Sequence, residues 1–176
     1  MIRKIALALV VLIAALLLYA TTRPGDTYVE PSITIQAPPE KIYPHINDFH
    51  RWSAWSPYEH IDPAMRRTHS GSPSGKGAVY AWEGNSEVGT GRMEIVDTTD
   101  PTMVQIRLDF TAPIEAHNVA TFHIEPEGNA TRVTWAMDGR TPYLGKLMGI
   151  FVNMDAMIGG AFAEGLAKLK TIAEKP

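Results

Sequence analysis

Apolar residues recur at steps of three and four over the last long stretch of the chain, residues 145–173. Leu147, Phe151, Met154, Ile158, Phe162, Leu166 and Leu169 form one stripe, and Lys146, Asn153, Glu164 and Lys168 lie off it. That period predicts a single amphipathic helix. At ~1.5 Å per residue it spans roughly 40 Å, more than packing in a small domain requires. Something broad is expected to cover the stripe.

The middle of the chain supplies it as alternating segments. Residues 27–36 read as a strand with Val29, Ile33 and Ile35 on one face, interrupted by Pro31, which predicts an edge or a bulge. Pro38-Pro39-Glu40 opens a helix, because proline is favoured in a first turn. Its buried face is Ile42, Tyr43, Ile46 and Phe49, and a short second helix follows over 51–55. Strands are then predicted over 65–70, 78–83, 90–98, 103–110, 116–125 and 131–138, with turns at Gly84-Asn85, Asp100-Pro101 and Glu127-Gly128-Asn129. The clearest alternation sets Val104, Ile106, Leu108 and Phe110 against Gln105, Arg107 and Asp109. Consecutive hairpins of this kind make an antiparallel meander with one wet face. The loop at 71–77 is one residue short of a phosphate loop, lacks its Ser or Thr, and precedes a strand, so nucleotide binding is rejected. It is expected to be a flexible loop at a cavity entrance.

The N-terminus changes the picture. Arg3 and Lys4 precede an uncharged, almost wholly apolar run over 5–20, closed by Thr21, Thr22, Arg23, Pro24 and Gly25. A cleaved signal peptide and an uncleaved anchor compete. Leu18 sits where a cleavage site wants a small residue. Tyr19 sits where an interfacial aromatic belongs, and Thr21 and Thr22 can lengthen a run that is short of the usual ~20 residues. These favour an anchor over residues 1–24, with a domain over 25–176. The basic pair places the N-terminus in the cytoplasm and the domain outside it. An exported soluble form remains the alternative.

Composition adds exclusions. The chain has 176 residues, 45% of them hydrophobic, and a net charge of −3, which gives no electrostatic footprint for nucleic acid. It has no cysteine, so neither a disulfide framework nor thiol chemistry is available.

Strand, paired helices, meander and long C-terminal helix is the helix-grip order. Ile33-Thr-Ile35-Gln-Ala37-Pro38-Pro39-Glu40 resembles the opening of many proteins of the SRPBCC superfamily, which includes START domains and polyketide cyclase/dehydrase-like proteins. Trp52-Ser-Ala-Trp55-Ser-Pro57-Tyr58, Gly91-Arg-Met93 and Thr131-Arg-Val133-Thr-Trp135 look like a membrane-anchored bacterial branch. The resemblance implies an α+β helix-grip fold, with a curved antiparallel sheet of six to seven strands on the C-terminal helix. It also implies a deep apolar cavity between them and a bacterial inner-membrane setting.

Chemistry in that cavity would need an acid, base or nucleophile on an inward face. By parity the inward residues are apolar apart from Tyr80 and Asn118, while Glu94, Asp109, His117, His123 and Asp138 face outward. A bulge near Pro113 would turn Glu115 and His117 inward. No catalytic residue is assigned. His45 and His50 share no helix face, no H-E-x-x-H motif occurs, and no metal or cofactor is expected. Three functions stay open. One is binding of an apolar small molecule or lipid beside the membrane. Another is a non-catalytic accessory role with a side-chain-filled cavity. The third is a cyclase/dehydrase-like enzyme. The first assigns ligand contacts to Tyr80, Trp82, Met93, Phe110, Asn118, Trp135, Met154 and Ile158, with Trp55 and Tyr58 near the mouth.

Overall fold

The computed structural model describes residues 1–175. Helix α1 (Ile2–Thr22) is long and apolar enough to cross a membrane, and fits a membrane span or a signal sequence. After Arg23-Pro24-Gly25 comes an antiparallel sheet. Its strands are β1 (Asp26–Val29), β2 (Ser32–Ile35), β3 (Arg66–Gly71), β4 (Ala78–Glu83), β5 (Thr90–Thr99), β6 (Met103–Ala112), β7 (Ala116–Glu127) and β8 (Ala130–Arg140). The order is β1-β8-β7-β6-β5-β4-β3, and β2 also pairs with β8. Strands β1 and β2 therefore share one edge. They are the two halves of the predicted first strand, split at Glu30-Pro31, where the Pro31 carbonyl still accepts from Trp135 N at 2.9 Å.

Helix α2 (Pro39–Ile46) buries Ile42, Tyr43 and Ile46. Two 3₁₀ turns follow, Phe49–Ala54 and Pro57–His60, and bury Phe49, Trp52 and Glu59. The predicted long helix is two helices. Helix α3 (Tyr143–Met148) ends at Gly149, and α4 (Met154–Ala173) begins where the Asn153 side chain accepts from Ala156 N at 3.0 Å. A cap of this kind satisfies an otherwise unpaired amide, and so starts a new helix inside an apolar pattern.

Only the C-terminal half of the stripe is deeply buried. Phe162, Leu166, Leu169 and Ala173 are closed off, while Met154 and Ile158 are half-buried and Phe151 is exposed. Burying each of the large side chains stabilises by roughly 1.5–3 kcal/mol. Opposite them lie Ile35, Val104, Ile106, Phe122, Ile124, Val133 and Trp135 from the inward face. The loop at 71–77 sits at the end of β3 and β4 away from Trp82. It is fastened there by Gly75 N donating to the Asn47 carbonyl at 2.9 Å and Gly77 N to that of Ile95 at 2.8 Å.

Candidate functional site

Between sheet and α4 one half is packed with aromatic rings, and the other, the open half, has walls that are only half-buried. Trp135 is the centre of the packed half. Its ring stacks on Phe162, with Phe122 also stacked and Trp52 and Trp55 edge-on. Gly165 permits this approach, since a Cβ there would come 2.9 Å from Pro57 Cδ and 3.1 Å from Trp135 Cζ3. Trp55, expected near a mouth, is fully enclosed in this cluster and donates its indole N–H to the His45 carbonyl at 3.0 Å. Trp52 and Trp82 donate to the Ile46 and Val88 carbonyls. The Trp135 indole N–H alone of the four is buried without a partner. An orphaned buried donor costs about 1–3 kcal/mol, which makes it a place to look for a ligand atom.

The open half lies at the end of the sheet where β6 finishes, β7 starts and β8 runs into α3. Register puts Phe110 opposite Gly91, Leu108 opposite Asn118, and Asn118 opposite Gly139. Leu108, Phe110 and Asn118 are half-buried here, as are Met154 and Ile158 on α4. A Cβ added at half-buried Gly159 would meet nothing within 4 Å, and Gly160, one residue on, faces solvent. Tyr58 is 38% exposed, yet burial pushes its phenol up to about 12. Behind this end, Trp82 lies across Gly91 and meets the edge of Phe110 with centroids 5.5 Å apart, and Met93 and Tyr80 are buried beside it.

Parity along the strands missed one inward carboxylate, because it arrives from a 3₁₀ turn. Glu59 is buried against Tyr80, whose hydroxyl donates to Oε1 at 2.6 Å, while Arg67 Nε donates to Oε2 at 2.8 Å. Burial and the Glu59 hydrogen bond both push the Tyr80 phenol upward, so it stays protonated and donating. Both oxygens of Glu59 are engaged. The cluster fastens the second 3₁₀ turn to β3 and β4 and presents no free base. The only advance sign of it was a lone acid beside the Trp-rich segment.

On the outer face of the sheet a groove of about 700 Å³ is lined by Tyr28, Arg107, Asp109, His117, Asp138 and Arg140 among others. His117 Nδ1 lies 2.7 Å from Asp109 Oδ1, and Arg107 bridges Asp109 and Glu94. His117 and Glu115 are thus solvent-facing. Among the described residues no cluster of three His, Asp or Glu side chains could hold a metal ion.

A family model described as polyketide cyclase/dehydrase and lipid transport matches residues 27–174. No curated protein matches the chain. Solved structures do. Hypothetical protein jhp0584 from Helicobacter pylori aligns with a TM-score of 0.63 at 12% identity, over 85% of this chain and 89% of that one. Protein CV1439 from Chromobacterium violaceum gives 0.61 at 11% identity, over 85% and 99%. The Aha1 dimer from Colwellia psychrerythraea gives 0.59 at 16% identity, over 84% and 96%. At these identities the likeness speaks for the fold.

Proposed function

Because the chain belongs to the polyketide cyclase/dehydrase and lipid transport family, of the SRPBCC superfamily, we propose that it binds an apolar small molecule or lipid in the open half of its grip, beside a membrane that α1 spans. The observation that carries this reading is the one-sided filling of the space under α4. Aromatic rings occupy the half around Trp135, whereas the half around Gly159 has half-buried apolar walls in Leu108, Phe110, Met154 and Ile158 and no side chain above that glycine. A concave, mainly apolar space with a few polar groups is the usual form of a small-molecule site.

In this reading Tyr58, Phe110, Asn118, Met154 and Ile158 touch the ligand. Trp82, Met93 and Tyr80 back the wall, and Trp55 and Trp135 close the inner end. The Trp135 N–H supplies one donor for a ligand oxygen. The thioether of Met154 suits an adaptable apolar wall. The open half lies at the end of the sheet from which the chain leads back to α1, which supports loading from the bilayer.

The test is photolabelling. The full chain is reconstituted in lipid nanodiscs with a diazirine-bearing palmitate and irradiated, and labelled peptides are mapped by mass spectrometry. Label is expected on the peptides carrying Phe110 and Ile158 as well as on α1. Gly159→Leu should abolish the first two and leave the third. Label confined to α1, or unchanged labelling of Phe110 and Ile158 in Gly159→Leu, overturns the reading.

A further inference from the structure

Outside α1, large apolar side chains are exposed in one continuous stretch. Tyr143, Leu144, Met148, Phe151, Val152 and Met157 are each 44–73% exposed, while among the other described residues after Thr22 only Tyr28, Tyr58 and Ile61 reach comparable values. The stretch is the turn from α3 into α4. A patch of this kind on a small domain calls for a partner.

Its position says which. Helix α3 lies along the last turns of α1. The Tyr143 hydroxyl donates to the Leu17 carbonyl at 2.9 Å, and Arg23 Nη2 donates to the Gly149 carbonyl at 3.0 Å. Ala20 is the α1 residue that is fully buried, and Leu16, one turn earlier, is half-buried. Leu17 lies five residues before the end of α1, or roughly 7 Å below it along the axis. Elements that lie in a membrane interface sink about 5–10 Å into the boundary between headgroups and acyl chains. A segment held against Leu17 is at that depth if α1 spans the bilayer.

Charge agrees. From Thr141 to Met157 the chain has one cation, Lys146, and one acid, Asp155, and Arg23 at the end of α1 adds a second cation. Cations at the boundary of an apolar face favour an anionic lipid surface.

We infer that the α3–α4 turn is a membrane-docking element, which inserts Phe151, Val152 and Met148 into the outer boundary of the same leaflet that holds the end of α1. This inference rests on the reading of α1 as a span, and it adds a second, separate contact with lipid. It also turns the open half of the grip toward the bilayer.

The absence of cysteine allows single reporter sites in the full chain. Phe151→Cys, Val152→Cys, Ile13→Cys and Asn129→Cys would each carry a nitrobenzoxadiazole label, in vesicles of phosphatidylethanolamine and phosphatidylglycerol. The expected result is loss of most emission at 151 and 152 with lipids nitroxide-labelled near the headgroup. Loss at Ile13 should be greatest with lipids labelled deeper in the chain. The label at Asn129, on the far turn between β7 and β8, should respond only to aqueous iodide. Labels at 151 and 152 that behave like Asn129 while Ile13 lies in lipid overturn the docking element and leave the span standing. A label at Ile13 that also meets iodide removes the span and the inference with it. Phe151 is exposed, so its replacement leaves folding intact, which the circular dichroism of each labelled chain verifies.

Discussion

The indole of Trp135 on β8 and the ring of Phe162 on α4 lie 3.8 Å apart between centroids and within 7° of parallel. This pair joins helix to sheet at the centre of the filled half of the grip. On one side the contacts continue into Trp52, Trp55 and Phe122, and on the other α4 presents Gly159 with no side chain above it.

Removing Phe162 should therefore cost stability rather than binding alone. Phe162→Ala is expected to destabilise the domain by about 3–5 kcal/mol, the usual range for a buried phenylalanine in a well-packed core. Urea unfolding followed by tryptophan fluorescence measures it. A loss below about 1 kcal/mol would mean that the stack does not join helix to sheet.

The glycines of α4 should divide by position. Gly165→Ala drives a Cβ against Pro57 and Trp135 and is expected to cost about 1–3 kcal/mol by overpacking. Gly159→Ala and Gly160→Ala meet no neighbour, and each should stabilise by up to about 1 kcal/mol through helix propensity. Thermal unfolding of the three variants side by side checks the ordering, and equal effects at all three would contradict an open half.

The Glu59–Tyr80–Arg67 cluster should behave as one unit. Glu59→Gln and Tyr80→Phe are each expected to cost about 1–3 kcal/mol, because the remaining buried partner loses its bond. The double variant should cost clearly less than the sum, as for residues in one network. Additive losses in a double-mutant cycle would show that the groups act independently.

His117 supplies a pH dependence. The hydrogen bond to Asp109 holds its imidazole above the ordinary range, so the fold favours the protonated form. The stability this contributes is full below the unfolded value of about 6.5 and is lost as pH rises through the higher folded value. The stability difference between the natural chain and His117→Gln should therefore be larger near pH 5 than near pH 8. Proton NMR titration should show Asp109→Asn returning His117 toward its ordinary value, and no change there would sever the two residues.

Strand positions and faces were legible because period-two alternation survives in β6, β7 and β8, where one face is buried and the other wet. The split of the first strand was signalled by Pro31. The break between α3 and α4 was not, since Leu147 and Phe151 extend the apolar period through it. They are apolar for a different reason from Leu166, because they cover no sheet. Burial period cannot distinguish a side chain turned to a core from one turned to solvent or lipid. Glu59 was missed because parity applies to strands, and a 3₁₀ turn has no comparable rule. Trp55 was legible as an important aromatic. Its place inside the cluster depended on Gly165, 110 positions away in sequence.

Three residues, Arg23 to Gly25, separate α1 from β1. Fully extended they reach about 10 Å, and the Tyr143–Leu17 and Arg23–Gly149 bonds shorten that leash further. Under the proposed reading, in which α1 spans the bilayer and the grip holds an apolar ligand, a carrier on such a leash cannot commute. It neither swings out to meet a distant acceptor nor leaves one membrane for another, and whatever it holds is handed over within a domain's width of the lipid. Its traffic is lateral: cargo and acceptor must come to it through the plane of the bilayer, where diffusion runs in two dimensions and a partner's own membrane anchor would bring the two to the same level.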